Sequence, residues 1–239
     1  MEHDQAERKR ILREWIIQEP FAYEPGKGCL YSDLGFMILE WIVEASTGIT
    51  LKRFVEKNFY VPLSFKRTFF NENNGEERFS RDEFAPTEDC PWRKKVIQAV
   101  VHDDNAYAMG GYSGHSGLFG TAEDVYGIVN VLREHYLGER DDHFKPETVR
   151  TFFTRQRTVK ESTWAMGWDT PSAYGSSSGR FFSRQSVGHL GFTGTSIWMD
   201  LEKDVVVIFL SNRVHPTRDN VKIRRFRPRL HDLVMKEVD

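Results

Sequence analysis

Two segments late in the chain, rich in β-branched and aromatic residues, most constrain what it can fold into. GHLGFTGTSIWMD (188–200) and DVVVIFLSN (204–212) are separated only by the polar tripeptide LEK. This pattern predicts an antiparallel β-hairpin. Because an isolated hairpin is marginally stable in water, these strands must pack against other elements of the chain.

The segments before the hairpin have helical periodicity. Residues 5–18 and 50–58 are predicted helices, and a third at 34–47 has apolar residues at helical spacing and ends at Gly48. Residues 71–100 are charged and irregular, which predicts a long surface loop. Further helices begin near Thr121 and Pro146, and a basic C-terminal helix from 219 is interrupted by Pro228. This order predicts an α+β fold in one domain, 1–239.

Composition excludes several classes of function. With 239 residues, 39% of them hydrophobic, the chain can bury one sizeable core, and its net charge of −2 gives no general attraction to nucleic acid or anionic membranes. The longest aliphatic and aromatic run, 205–210, is too short to span a bilayer. We therefore predict no nucleic-acid partner and no membrane span. Neither the N-terminus, which lacks the apolar core of a signal peptide, nor the two cysteines identify the compartment.

Three local patterns suggest sites but have simpler explanations. The glycine-rich stretch 110–120 lacks the Gly-Lys-Ser/Thr of a phosphate-binding loop, so we interpret it as a tight buried turn before a helix. The densest acidic and histidine cluster is His102, Asp103 and Asp104, but adjacent residues rarely converge on one ion. We predict no metal and no cofactor. The match to G-x-S-x-G at 175–179 lacks the strand and helix that hold a nucleophilic serine, which favours a flexible surface loop.

Two short motifs, about 155 residues apart, together resemble a known family. Tyr31-Ser32-Asp33 opens the helix 34–47 and resembles the Tyr-x-Asn motif of class C β-lactamases, related D,D-peptidases and carboxylesterases of that fold. His189-Leu190-Gly191 resembles their Lys/His-Thr-Gly motif. HDDNAYAMGGYSGHSGLFGTAEDV resembles the segment that precedes a core helix in these proteins. The resemblance implies a β-lactamase/transpeptidase-like fold, an antiparallel sheet flanked by helices.

The sequence departs from the family pattern in three places. Asp33 replaces the usual Asn, and Leu190 replaces the usual Thr. None of the fifteen serines is followed by lysine at i+3, and the nearest match, Ser64, has Arg67 there. Because the family's Ser-x-x-Lys nucleophile motif lies many tens of residues before the tyrosine, we expect this chain to be the C-terminal part of the domain. The fold would then be incomplete at its N-terminal side.

The resemblance assigns roles to five residues. Tyr31 would be the general base of an acyl-enzyme reaction, Asp33 would orient neighbouring groups or contact substrate, and His189 would line the opposite wall and assist proton transfer. Gly191 and Phe192 would bind substrate, with the Phe192 N–H as one oxyanion donor. We expect the rings of Tyr31 and His189 to face each other across one cleft.

These expectations give a leading hypothesis and two alternatives. The first is a β-lactamase-related serine hydrolase, acting on a β-lactam, a D-amino-acid peptide or a carboxylic ester, whose nucleophile segment is absent from this chain, so that the chain alone is inactive. The second is a catalytically inactive pseudoenzyme that binds peptidoglycan-like or small acyl ligands. The third, an α/β-hydrolase using Ser177, requires a parallel sheet. Without the family's N-terminal strands, we also expect low stability or self-association through an unpaired sheet edge.

Overall fold

The computed structural model describes residues 4–73, 75 and 78–238. These residues form two compact units, Met1–Asp124 and Val125–Asp239. The first contains helices and short two-stranded ribbons, and the second contains a three-stranded sheet with helices.

The first two helices of the first unit begin and end close to where the sequence predicts, whereas α4 was not predicted. Asp4 caps the first helix by accepting a hydrogen bond from Glu7 N at 2.9 Å. Ser32 caps the second, and Gly48 ends it in the left-handed conformation at φ 72°. The helices are α1 (Gln5–Gln18), α2 (Asp33–Thr47), α3 (Leu51–Val55), which continues as a π-helical turn (Glu56–Tyr60), and α4 (Asp104–Ala108).

The strands of the first unit are only two residues long. β1 (Phe69–Phe70) pairs with β4 (Leu118–Phe119), and β2 (Asp89–Cys90) pairs with β3 (Lys95–Val96), both antiparallel. The predicted surface loop 71–100 thus contains the β2–β3 ribbon and a 3-10 turn, Arg81–Glu83. Aromatic rings surround Phe69, which is buried and has ring-centre distances of 5.2–6.1 Å to its neighbours Phe79, Phe84 and Phe119.

The second unit is built on an antiparallel sheet in the order β5-β6-β7, which confirms the predicted hairpin. Residues 186–190, which include His189, form an additional strand before the first turn. The elements are α5 (Ala122–Leu137), α6 (Pro146–Phe153), β5 (Ser186–Leu190), β6 (Ser196–Asp200), β7 (Val205–Phe209) and α7 (Ile223–Val238).

Successive residues of β6 face opposite sides of the sheet, as a strand's period of two requires. Met199 packs with Val129 of α5 and Val149 of α6. Trp198 packs with Met235 of α7. The sheet therefore lies between helices on both faces, in agreement with the predicted antiparallel sheet flanked by helices.

The last helix continues through Pro228, so the predicted interruption is wrong. Proline removes one backbone donor from the helix. Arg227, His231 and Met235 are nevertheless all buried, and their spacing of four residues places them on one face of α7. Packing of this face outweighs the lost hydrogen bond.

Across the described ranges, no single helix has the length and apolar character to cross a membrane. Asp33–Thr47 and Leu51–Tyr60 meet those criteria only as a pair, with a bend of 70° between them.

Candidate active site

The motif Tyr31-Ser32-Asp33 lies at the entrance of α2. Ser32 Oγ accepts a hydrogen bond from Leu34 N at 3.2 Å, which fixes the first turn. Tyr31 precedes this cap, and its ring centre lies 6.0 Å from that of Phe36, one turn into the helix. The residue is 46% exposed, so its phenol is accessible from solvent while part of the ring is packed.

The surroundings of Tyr31 oppose ionisation of its phenol. Burial, the charge of Asp33, a hydrogen bond to Asp33 and the charge of Asp103 together raise the pKa of Tyr31 to about 12. A phenol with this pKa is protonated at neutral pH, and a nearby cation would be needed to make it a base. After burial, Asp33 is thus the main cause of the raised pKa of Tyr31.

Asp103 lies beside this entrance and is paired with a histidine that the sequence analysis did not select. His115 Nε2 lies 2.8 Å from Asp103 Oδ1, and the His115 side chain is only 2% exposed. Asp103 Oδ1 also accepts the hydrogen bond from Ala106 N at 2.7 Å that caps α4. Burial alone would raise the pKa of Asp103, but the hydrogen bonds from His115 and Ala106 outweigh it and hold this pKa below its usual value.

The side chains of the adjacent residues His102, Asp103 and Asp104 do not come together, because each contacts a different partner. His102 Nε2 lies 3.3 Å from Glu88, and Asp104 accepts from Arg93 Nη2 at 2.8 Å. Instead, ligand atoms of Asp33, Asp103 and His115 lie within 4.8 Å of one another, close enough to share a cation. A second such group is His135, Asp142 and His143. There Arg140 donates two hydrogen bonds to Asp142, so a guanidinium already balances its charge.

The glycine-rich stretch forms the tight turn that the sequence predicts. Gly111 and Gly117 have φ of 120° and 110°, a conformation that favours glycine. A Cβ on Gly114 would lie 2.2 Å from the Phe36 carbonyl oxygen, so only glycine allows this contact with α2.

Glu40 of α2 holds this turn in place and was missed by the sequence analysis. It is 2% exposed, and its Oε2 accepts from Ser113 Oγ at 2.5 Å and from Gly114 N at 2.9 Å. Lys9 Nζ of α1 lies 3.2 Å from Oε1. Glu40 lies one turn after buried Met37, but this buried face is a result of tertiary packing and no sequence pattern indicated it.

In the second unit, His189 is on β5, opposite Ile197 of β6. Its Nδ1 lies 3.0 Å from the Leu190 carbonyl oxygen. Because a carbonyl oxygen only accepts, this contact requires the proton on Nδ1 and leaves the lone pair of the neutral ring on Nε2. The imidazole centre is 5.6 Å from the Trp164 ring. Asp169 pairs with the neighbouring Gly188 through two backbone hydrogen bonds, and burial raises the pKa of its carboxyl.

Gly191 and Phe192 begin the turn 191–195 that joins β5 to β6. Gly191 N donates to Thr195 O at 2.8 Å, and Gly194 N donates to Gly191 O at 3.1 Å. Arg213 Nε donates to Phe192 O at 2.8 Å, and its guanidinium lies 4.4 Å from the centre of the Phe192 ring. Phe192 is 61% exposed. This turn therefore presents an accessible aromatic ring on a fixed backbone.

The serine-rich segment 175–179 is not a nucleophile elbow. Neither a strand nor a helix flanks it directly in the described structure, and the sheet is antiparallel rather than parallel. It is also packed more closely than a flexible surface loop, because Ser178 is fully buried and Ser177 O lies 2.8 Å from His231 Nδ1 of α7.

Comparison with known proteins identifies the family. The family model described as Beta-lactamase matches residues 1–230. This chain belongs to the β-lactamase family. The resemblance seen in the motifs is thereby confirmed over nearly the whole chain.

Relatives of this β-lactamase-family chain include bacterial proteins provisionally named D-alanyl-D-alanine carboxypeptidase. One from Salmonella heidelberg (strain SL476) is 32% identical over 232 residues, covering 91% of this chain and 53% of the relative. One from Salmonella agona (strain SL483) matches equally well. The chain thus spans about half the length of these curated relatives.

Solved structures confirm the β-lactamase/transpeptidase-like fold. A β-lactamase from Mycobacterium bovis has a TM-score of 0.63 at 18% identity and covers 90% of this chain and 66% of its own. A penicillin-binding protein from Bacillus halodurans has a TM-score of 0.60 at 15% identity, and the match covers 84% of this chain and 57% of that protein. At these identities the likeness concerns the fold.

Proposed function

We propose that this chain supplies the general base and one oxyanion donor of a serine-type site that hydrolyses an amide or ester bond through an acyl-enzyme. One observation carries the proposal: Tyr31 lies directly before the capped N-terminus of α2, in a chain that matches the β-lactamase family over residues 1–230. The names of the Salmonella relatives favour a peptide ending in D-alanyl-D-alanine as substrate. A β-lactam and a carboxylic ester are the other substrates of this class.

Each site residue has a role in this reaction. A serine hydroxyl attacks the carbonyl carbon, its proton passes to Tyr31, and the Phe192 N–H stabilises the developing oxyanion. Gly191 has no side chain and lets substrate approach the backbone. The Nε2 of His189 takes part in proton transfer to the leaving group.

Tyr31 needs a cation to act as base, and Asp33 is suited to hold one. Asp33 carries a negative charge where the family has a neutral amide, so it binds an ammonium group more strongly than Asn would. Because the chain contains no Ser-x-x-Lys sequence, we propose that the serine and its lysine come from sequence outside this chain. The charge of that lysine would offset the effect of Asp33 on the pKa of Tyr31.

A second function follows if no such segment is supplied. The pKa of about 12 keeps the Tyr31 phenol protonated, so at neutral pH it donates a hydrogen bond rather than accepting a proton. This favours the chain alone as a binding module for peptidoglycan-like or small acyl ligands.

A fusion experiment tests the hydrolase. A segment that carries the Ser-x-x-Lys motif of the family is placed before this chain, and the fusion and the chain alone are assayed with p-nitrophenyl acetate, a chromogenic cephalosporin and a D-alanyl-D-alanine peptide. We expect turnover by the fusion only. Tyr31→Phe should lower kcat by roughly 10²–10⁴-fold, whereas Tyr126→Phe, on exposed α5 surface, should leave it unchanged.

Two results would contradict this proposal. One is a burst with a covalent adduct on a serine of the chain alone, and the other is full activity of the Tyr31→Phe fusion. An inactive fusion, combined with calorimetric binding of the D-alanyl-D-alanine peptide by the chain alone, would favour the binding module.

A further inference from the structure

Arg227 of α7 is a buried cation, and the described part of the chain places no carboxylate in an ion pair with it. The residue is 6% exposed. Burial and the nearby charge of Arg213 lower the pKa of Arg227 to about 10, so the guanidinium still carries its charge at neutral pH. Burying an unpaired charge is costly and requires hydrogen bonds in compensation.

Among the residues that the structure describes, the hydrogen-bond acceptors of Arg227 all belong to one turn. Its Nη2 donates to Gly191 O and to Thr195 O, both at 2.8 Å, and its Nε donates to Gly194 O at 3.3 Å. These carbonyls belong to the turn 191–195 between β5 and β6. The guanidinium therefore holds together the two ends of the segment that contains Phe192.

Gly191 O and Phe192 N belong to the same peptide unit. A trans peptide is planar, so its C=O and N–H point in opposite directions. Gly191 O accepts from both Arg227 Nη2 and Gly194 N, which fixes the direction of the Phe192 N–H away from these donors. A charged donor on the carbonyl also polarises the peptide and strengthens its N–H as a donor.

Arg213 fixes the next peptide unit in the same way. Its Nε donates to Phe192 O, so the peptide units on both sides of Phe192 are held by guanidinium groups. Arg213 reaches Phe192 across 21 residues and Arg227 reaches Gly191 across 36.

We propose that Arg227 is a positioning residue that orients and polarises the Phe192 N–H for binding an oxyanion. The proposal rests on the oxyanion role of Phe192 in the proposed function. Arg227 contacts neither substrate nor reacting atoms and acts through the Gly191–Phe192 peptide.

Selective labelling makes this peptide directly observable in the full chain. Only two glycine–phenylalanine pairs occur in the sequence, Gly35–Phe36 and Gly191–Phe192. A chain with ¹³C-carbonyl glycine and ¹⁵N-phenylalanine therefore gives two correlations in an HNCO spectrum. Gly35→Ala removes one of them and assigns both, since a Cβ at Gly35 meets nothing within 4 Å. Phe36, in the first unit, is the internal reference.

Arg227→Lys and Arg227→Met should both shift the Gly191 carbonyl carbon and the Phe192 amide proton upfield, because the charged donor is weakened or lost. The Phe36 correlation should not move. Arg229→Met changes an exposed arginine of the same helix and should leave both correlations unchanged. Thermal melting identifies any variant that fails to fold, and Arg227→Lys keeps the charge if Arg227→Met is unfolded.

Titration with phenylphosphonate, a tetrahedral oxyanion that binds without a nucleophile, tests the consequence for ligand binding. We expect it to shift the Phe192 amide downfield in the wild type and to bind about tenfold more weakly to Arg227→Lys, a smaller effect than complete loss of an oxyanion donor. Unchanged Gly191 and Phe192 shifts in both folded variants would overturn the proposal.

Failure of the proposed function gives a different pattern. If phenylphosphonate leaves the wild-type Phe192 amide unchanged, the oxyanion role of Phe192 is wrong. The HNCO shifts of the Arg227 variants then still decide whether this arginine orients the peptide.

Discussion

Ser113 Oγ lies 2.5 Å from Oε2 of Glu40, so a buried carboxylate joins the glycine-rich turn to the middle of α2. Gly114 N donates to the same oxygen. The helix that begins beside Tyr31 and the turn that follows Asp103 and α4 are thus connected through one side chain.

Removal of this carboxylate should strongly destabilise the first unit. Glu40→Ala leaves Ser113 and Gly114 without their acceptor, and we expect a loss of about 3–5 kcal/mol in the free energy of unfolding. Urea denaturation followed by circular dichroism measures it. Glu14→Ala, at an exposed position of α1, is the control and should change stability by less than about 1 kcal/mol. Equal effects of the two substitutions would contradict the role of Glu40.

Three tyrosines should titrate late. Burial is the largest cause that raises the pKa of Tyr31, Tyr60 and Tyr112 to about 12. Since an unfolded phenol titrates near 10, the folded state binds these protons more tightly. The resulting stabilisation is complete below about pH 10 and is lost as the pH rises towards 12.

The substitution Asp33→Asn should change the pKa of Tyr31 and not those of Tyr60 and Tyr112. Removing this charge should lower the pKa of Tyr31, while Tyr60 and Tyr112 keep theirs. ¹³Cζ-tyrosine NMR follows each phenol through an alkaline titration. A wild-type Tyr31 that ionises below pH 10 would show that the carboxylates do not act on it as the structure indicates.

The pair Asp103–His115 should stabilise the protein in a pH-dependent manner. The pKa of Asp103 is held below 3.8, so its contribution is present above that pH and is lost as the pH falls through the lower folded value. His115→Gln should therefore lower stability at neutral pH, and the difference from wild type should shrink in acid. Unfolding free energies measured from pH 6 to pH 2 test this, with exposed Asp89→Asn expected to match wild type throughout.

The chain should self-associate through β7. Among the strands that the structure describes, β7 pairs with β6 on one side and with none on the other. An unpaired edge is a template for another chain. Sedimentation velocity should show association that rises with concentration, and Ile208→Lys, on this edge, should reduce it more than Leu210→Lys just beyond the strand. A monomer at high concentration would refute this expectation.

Local signals predicted much of the secondary structure. The Gly48 terminus of α2 and the β6–β7 hairpin depend on residues close in sequence, and each was found as predicted. The two family motifs likewise identified the fold. Whether Tyr31 and His189 serve one cleft stays a prediction.

Long-range polar contacts were not predictable in the same way. The bond from Ser113 to Glu40 spans 73 residues, and that from Arg227 to Gly191 spans 36. Nothing in the pattern around either charged residue distinguishes it from solvated neighbours, because burial of a charge depends on the groups that tertiary folding brings to it. For Pro228 the local rule was misleading, since packing on one face of α7 overcame it.

The position of Arg227 on α7 also bears on biosynthesis. Strands β5 and β6 leave the ribosome before Arg227 does. A nascent chain can therefore form the β5–β6 hairpin before the guanidinium is available to bind the carbonyl groups of its turn. A nonsense mutation within the first turn of α7 would then give a polypeptide that keeps both family motifs but lacks the hydrogen bonds from Arg227 to the turn at Phe192.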